Sequence, residues 1–309
     1  MVKRATHSPW VAIAGRGIPL SQEANQLMGF LKRDNPQVRI FVLRSFMGLP
    51  TSLEAEEAAV AYFAKNSSIG AAVLASPGSS VISETLYEGG HTFSPIDRYF
   101  FESKGGRAVR ARLLAVEDRL PDIINELLRQ GRGVRIGNLG SGPGRDVIDV
   151  LAEHYIGVTS VTAVNADIDE MAVMRGKRMA EIKGVSHLIT FTRADFVSYA
   201  RHNRQKFDIL LLIGMLCPFD TDSCTLYLEM VKKLLKPGGY LIASNISKRM
   251  LAEDPFTCHL MAALGNWVMI YKDEQELRGI FEKAGYAWQG SFTDSFGFHI
   301  MGVGSPVEL

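Results

Sequence analysis

NLGSGPGRD, residues 138–146, stands between a β-rich run, VRIGNL at 134–139, and a helical stretch that begins near Arg145. Glycine at 140, 142 and 144 lets the backbone turn sharply and brings a ligand against peptide groups that any Cβ would cover. A strand-to-helix loop of this kind is a nucleotide-binding candidate, with a purely structural turn as the alternative. Spacing separates the versions. A Walker loop carries Gly-Lys-Ser/Thr after its intervening residues, and there is no lysine here. A dinucleotide fingerprint starting at Gly140 needs Gly or Ala where Arg145 stands, and one starting at Gly142 needs it where Val147 stands. What remains is G-x-G-x-G.

Outward from this loop, short β-rich runs alternate with helical stretches. Strands are expected at 134–139, 159–166, 187–192, 207–213 and 239–245, with helices near 144–155, 169–183, 195–203, 222–236 and 273–284. Such alternation implies a parallel sheet covered by helices on both faces. The ending differs: two strand-like runs, 286–293 and 296–303, lie only a few residues apart and must pair as an antiparallel hairpin.

The G-x-G-x-G loop resembles motif I of the class I S-adenosylmethionine-dependent methyltransferases, and residues 130–309 resemble that family in the order and spacing of four markers. Asp167 ends the second strand, 23 positions past Gly144. The resemblance implies that this carboxylate accepts both ribose hydroxyls and that Ile168 lies beside the cofactor; a helix N-cap is the alternative for Asp167, although Asp169 is the better cap. After the third strand, Asp195 and Phe196 match the family's acceptor from the adenine amino group and its apolar neighbour, with a cap again as the alternative for Asp195. The LLKPGG turn (234–239) matches the entry to strand five, where Pro237, Gly238 and Gly239 are fold markers. Asn138, Gly140, Gly142, Gly144 and Gly214 complete the implied cofactor set. Asn138 departs from the family, which commonly has an acid there, so a negative charge near the cofactor's amino-acid end is expected to be missing.

The implied fold is α/β: a Rossmann-like, doubly wound, mostly parallel seven-stranded sheet with a C-terminal antiparallel hairpin and a mainly helical N-terminal cap. Three parts are expected: a cap or lid over 1–94, connecting helices over 95–130, and the S-adenosylmethionine-binding domain over 131–309. In the cap, helices are read at 22–33, 52–65 and 67–75, while VRIFVL (38–43) alternates as a strand would. Residues 76–94, rich in Gly, Ser and Pro, are expected to be a linker or lid. Pro121 is expected to start a second helix within 95–130.

Methyl transfer asks the protein chiefly to orient donor and acceptor. A base is needed only where the acceptor must lose a proton. No catalytic residue is fixed by the sequence. Tyr99 and Phe100 are candidates for the sulfonium pocket, because aromatic faces attract cations, against an alternative as packing residues. One of Arg107, Arg110 and Arg112 could meet the cofactor carboxylate, against an alternative as a solvated helix face. His259 is the one candidate base, with a structural role as the alternative, and Cys217 reads as a small buried residue. The loop GMLCPFD (214–220) lacks the Asn-Pro-Pro-aromatic signature of adenine and glutamine N-methyltransferases and the paired glutamates of protein arginine methyltransferases.

The 309 residues are 47% hydrophobic and 22% charged, an ordinary globular composition. With 34 basic against 33 acidic residues, the net charge of +1 supplies no broad field for a nucleic acid. No stretch is long enough to cross a bilayer, the three cysteines form no C-x-x-C pair, and the N-terminal 20 residues lack a continuous apolar run. The expectation is a cytoplasmic enzyme with a small-molecule substrate, no metal, no membrane and no nucleic-acid partner, and with a homodimer left open. Transfer of a methyl group from S-adenosylmethionine, in a setting such as secondary metabolism, is the activity the resemblance implies. The alternatives are attack on the cofactor's aminocarboxypropyl arm, which releases methylthioadenosine, and a catalytically silent cofactor-binding module.

Overall fold

The computed structural model describes residues 22–31, 35–76, 78–89, 94–265 and 267–307. The N-terminal 20 residues, positions 32 and 33 of the first expected helix and parts of the expected 76–94 linker fall outside them. Contacts divide the chain into two compact units: Met1–Arg107 with Met250–Val268, and Ala108–Arg249 with Met269–Leu309. This grouping changes over at 107/108 and joins a segment after strand five to the N-terminal unit.

In the first unit, α1 (Gln22–Phe30), α2 (Pro36–Phe46), α3 (Leu53–Asn66), α4 (Ser68–Ala75), α5 (Ser80–Glu88) and α6 (Pro95–Glu102) follow in order. Their ends are written in the sequence. Ser52 accepts from the Ala55 N–H at the start of α3, and Glu54 and Glu56 occupy its positive end. Ser94 and Asp97 form a reciprocal capping box on α6. The strand reading of 38–43 is overturned. Val38, Phe41, Val42 and Ser45 are buried together at helical spacing, and Pro36 supplies the first turn, so the same apolar residues serve a helix face. The linker reading of 76–94 is also corrected, because α5 occupies its middle and buries Ile82 and Leu86 one turn apart.

α7 (Lys104–Arg129) is one helix of 26 residues, beginning in the first unit and running through the second, with Pro121 inside it. Pro121 thus starts no new helix. The backbone bond it cannot donate is offset by packing: Leu120, Ile124 and Leu127 are fully buried, and the Tyr155 hydroxyl donates to the Pro121 carbonyl at 3.3 Å.

In the second unit, β1 (Val134–Leu139), α8 (Arg145–His154), β2 (Val161–Asp167), α9 (Glu170–Ile182), β3 (Ile189–Arg193), α10 (Phe196–His202), β4 (Phe207–Leu212), α11 (Thr221–Lys232) and β5 (Leu235–Ile246) alternate as expected. After α12 (Lys248–Glu253) and α13 (Pro255–Gly265) come α14 (Glu274–Lys283), β6 (Tyr286–Thr293) and β7 (His299–Pro306). The sheet runs β3-β2-β1-β4-β5-β7-β6. β1 to β5 pair in parallel, and β7 enters antiparallel to both β5 and β6. One sheet face packs α7 and α8 residues such as Val116, Leu120, Val147 and Leu151; the other packs α11 and α14 residues such as Leu228, Leu277 and Phe281. Strand order reverses between β1 and β4, which opens a crevice beyond their carboxyl ends, where open α/β sheets bind ligands.

Candidate functional site

The loop after β1 enters this crevice. Gly140, Gly142 and Gly144 have φ of 64°, 55° and 77°, left-handed values that L side chains rarely adopt. Space enforces the same choice at two of them. A Cβ on Gly140 would lie 2.2 Å from the Met215 sulfur, and one on Gly144 would lie 1.9 Å from Asn165 Nδ2. Met215 belongs to the loop after β4, so the two loops flanking the reversal point meet over Gly140.

Asp167 fastens the glycine loop from the neighbouring strand. Its Oδ2 accepts from the Gly142 N–H at 2.6 Å, and its Oδ1 accepts from the Asp169 N–H at 2.9 Å. Asp169 itself caps α9 through the Met171 N–H. Ile168, between them, is 67% exposed. At the next strand end, Asp195 caps α10 by accepting from the Ser198 N–H at 2.8 Å through Oδ1. Phe196 meets Tyr227 edge to face at 5.1 Å, and Tyr227 meets Phe219 at 4.7 Å. An exposed carboxylate and an aromatic cluster thus stand together at the ends of β3 and β4.

Asn138 is buried and donates from Nδ2 to Asp146 Oδ1 at 2.9 Å. An acid does stand beside Asn138: Asp146, within the same NLGSGPGRD segment. Burial pushes the Asp146 pKa up to about 6, against the lowering pull of the Val147 N–H, the Asn138 amide and Arg112. Next to Asn138 in register lies Asn165, fully buried, with neither its Nδ2 nor its Oδ1 hydrogen bonded. An orphaned amide beneath a glycine loop is a group whose cost is recovered only by a partner.

Gly214 follows β4 with φ of 78°, donates its N–H to Ser244 Oγ at 2.7 Å, and would bring a Cβ within 3.3 Å of Arg112 Nη1. Of the three arginines considered, Arg112 is therefore the one beside the crevice loops. Lys272 is 2% exposed and holds the same loop from below, donating to the Phe219 carbonyl at 2.7 Å.

Tyr99, Phe100 and His259 belong to the first unit. Tyr99 and Phe100, 6% and 7% exposed, pack against Phe256 and each other. His259 is buried with Nδ1 3.0 Å from Ser45 Oγ and Nε2 3.3 Å from Thr51 Oγ1. Burial lowers its pKa, opposed by Glu56. Both of its nitrogens face hydroxyls within the first unit. Cys217 is buried as expected, and burial raises its thiol pKa.

Sequence reasoning passed over a second histidine. His299, at the start of β7, is 4% exposed, and its Nδ1 lies 3.0 Å from Oδ2 of the buried Asp294. The signal was an aspartate and a histidine flanking the hairpin turn, which becomes a pair only once the hairpin closes. Among the described residues no cluster of acidic, cysteine and histidine side chains could hold a metal, and no helix is long and apolar enough to cross a membrane.

A family model described as "Putative methyltransferase" matches residues 82–305, well over half of the chain. The chain belongs to this methyltransferase family. Two curated Escherichia coli K12 relatives, both named only as uncharacterized proteins, are similar to parts of this chain. YnbC is 24% identical over 62% of this chain and 33% of its own length, and YjhP is 27% identical over 46% of this chain and 52% of its own. The chain thus spans a third to a half of these relatives. Among solved structures, one from Bordetella parapertussis titled as a possible exported protein covers 93% of this chain and 98% of its own, at TM-score 0.67 and 18% identity. The magnesium protoporphyrin IX methyltransferase of Synechocystis PCC 6803, with bound SAH, covers 77% and 100% at TM-score 0.52 and 15% identity. An O-methyltransferase family 2 protein of Planctomyces limnophilus, in complex with apigenin, covers 93% and 79% at TM-score 0.52 and 17% identity. At these identities the likeness establishes the fold: the class I, Rossmann-like architecture with its reversed last strand.

Proposed function

We propose that this methyltransferase binds S-adenosylmethionine in the crevice beyond β1, β2 and β4 and delivers the methyl group to a small molecule. The observation that carries the reading is the union of three left-handed glycines with Asp167, which anchors their loop and ends the strand beside it. The residues fit the cofactor: left-handed glycines at 140, 142 and 144 keep the loop backbone free of side chains, Asp167 has oxygen lone pairs to spare, and the buried Asn165 amide beneath the loop has no hydrogen-bond partner.

When bound, the cofactor supplies an electrophilic methyl group on a sulfonium. The chain's part is to bind and orient. Each Asp167 oxygen has a further lone pair beyond its one backbone bond, so the carboxylate can accept ribose hydroxyls while still holding the loop. Ile168 and Phe196 would flank the adenine, and Asp195, whose Oδ2 is not needed for the cap, would accept from its amino group. Asn138 and Asp146 would face the cofactor's ammonium, and Arg112 its carboxylate. A near-neutral surface charge and the absence of recognised macromolecule-methylating signatures in 214–220 favour a small acceptor. Three buried cysteines with no C-x-x-C spacing suit a reducing compartment such as the cytoplasm.

The test is calorimetry of the pure protein with S-adenosylmethionine and S-adenosylhomocysteine, followed by mass spectrometry of the nucleoside product. Micromolar binding and S-adenosylhomocysteine as product are expected. Binding of a dinucleotide instead, or enzyme-dependent methylthioadenosine that disappears in Asp167→Ala, overturns the reading.

A further inference from the structure

We infer that His299, held by Asp294, is the base that accepts a proton from the acceptor, and that the acceptor group is therefore a hydroxyl; this rests on the methyltransferase reading above. Four observations converge on it, all within the second unit.

The first is placement. Asn138 pairs in register with Leu211, and Leu211 with Ile242. Two residues further along β5 stands Ser244, which holds the Gly214 N–H, and two beyond that Ile246, whose register partner across β7 is His299. Side chains alternate between faces along a strand, so Asn138, Ser244, Ile246 and His299 share one face. Met301 and Val303 extend the face on β7 and are buried in the cluster that includes α7 and α8. His299 is thus the outermost β7 residue of this face, at the carboxyl edge of β5, one side-chain layer above the serine that holds the crevice loop.

The second is charge. Arg112, which lies against Gly214, acts on both Asp146 and His299. One guanidinium therefore ties the histidine to the cluster proposed to hold the cofactor's amino-acid end.

The third is the dyad. Asp294 is 2% exposed; its Oδ2 accepts from the His299 N–H and lies 3.0 Å from His299 Nδ1, and its Oδ1 accepts from the Phe296 N–H at 2.7 Å. Burial raises the Asp294 pKa, but His299 and these backbone donors outweigh it and leave it lowered. An ionised carboxylate on Nδ1 fixes the tautomer with the proton on Nδ1 and leaves the Nε2 lone pair to accept.

The fourth is protonation state. Burial lowers the His299 pKa; the Asp294 carboxylate opposes this and Arg112 adds to it. The balance favours the neutral ring, the state a base requires. His259 fails the comparison, because both of its nitrogens already face hydroxyls.

The step balances without another reagent. The acceptor O–H gives its proton to His299 Nε2, the oxygen lone pair forms the new bond to the methyl carbon, and the carbon–sulfur bond breaks with its electrons staying on sulfur. A methyl ether, neutral S-adenosylhomocysteine and an imidazolium paired with Asp294 result. The imidazolium then returns its proton to solvent.

The test uses the full chain and the variants His299→Gln and Asp294→Asn. Nitrogen-15 NMR of histidine-labelled wild-type protein, with His299 assigned by the signal missing from His299→Gln, should show Nδ1 protonated and Nε2 bare at pH 7. A charged ring or an Nε2-protonated tautomer overturns the proposal whether or not the variants fold. Calorimetry with S-adenosylhomocysteine should give affinities within twofold for all three proteins; failure of the wild type to bind condemns the methyltransferase reading and leaves the NMR result to judge the dyad. With catechol and 4-nitrophenol as hydroxyl probes, His299→Gln should lose at least about 100-fold in rate, the usual contribution of a positioned base, and its residual rate should climb with pH. Unchanged turnover in His299→Gln, or no turnover of either probe by wild-type protein that binds the cofactor, overturns it.

Discussion

Replacing Gly144 by alanine tests whether the glycine loop is set by backbone shape, by the side chain beneath it, or by both. At φ 77° an added Cβ costs roughly 1–2 kcal/mol from left-handed backbone strain alone. The same Cβ would lie 1.9 Å from Asn165 Nδ2 and 2.6 Å from its Cγ, distances that force a displacement. Overpacking of this kind adds about 1–3 kcal/mol, so Gly144→Ala should destabilise the protein by roughly 2–5 kcal/mol. Asn165→Ala in the same chain removes the clash and none of the strain. The double variant should recover about 1–3 kcal/mol relative to Gly144→Ala, a coupling in the range contacting residues show. Urea denaturation of wild type, both single variants and the double variant measures it. A double variant no more stable than Gly144→Ala would refute the packing argument, and a neutral Gly144→Ala would refute both.

Asp167→Ala should weaken S-adenosylhomocysteine binding by about 1.5–3 kcal/mol, the worth of a hydrogen bond to a charged group, with the fold retained by circular dichroism; equal affinity in calorimetry would assign Asp167 to the loop alone. Burial, together with Asp149 and Asp146, raises the Glu117 pKa from 4.5 to about 8, so its protonated form stabilises the fold. That contribution is complete below pH 4.5 and is lost as pH rises through 8, at no more than about 1.4 kcal/mol per pH unit; denaturation at pH 6, 7.5 and 9 should show the decline in wild type and a flatter profile in Glu117→Gln. Asp208 is 1% exposed at the side chain and accepts from Arg132, Lys236 and the Arg135 N–H. Asp208→Ala should cost about 1.5–3 kcal/mol in urea denaturation without changing cofactor affinity, because it lies at the amino end of β4.

The sheet domain was legible because its signals are local. Glycine spacing, β-rich runs and the LKPGG turn each depend on a few adjacent residues, and β1 begins and ends where the sequence places it. The errors share a different cause. Val38, Phe41 and Val42 are consistent with both an alternating strand and a helical stripe until a neighbouring helix decides which face is buried. Ile82 and Leu86 were hidden in a segment whose composition suggests a loop, and Pro121 is tolerated because packing outweighs one lost bond. In the site, Gly140 and Asp167 could be read from spacing. Asp146 stands at the start of a helix in the sequence, and its partnership with Asn138 needs the turn of the loop. The Asp294–His299 pair needs the hairpin, and Asn165 could not be known as an orphan before its neighbours were placed.

The return of Met250–Val268 to the N-terminal unit carries a consequence for synthesis on the ribosome. His259 meets Ser45 and Thr51 across separations of 214 and 208 residues. At about 5–20 residues per second, roughly 10–40 s pass between the emergence of the first partner and the second. Over that interval Phe41 and Phe46 lack the rings of His259 and Phe256 that they pack against in the finished protein. The N-terminal helices thus wait, part-assembled and with apolar surface bare, while the strands of the sheet domain are still being made, and this interval is when the nascent chain has most need of a chaperone.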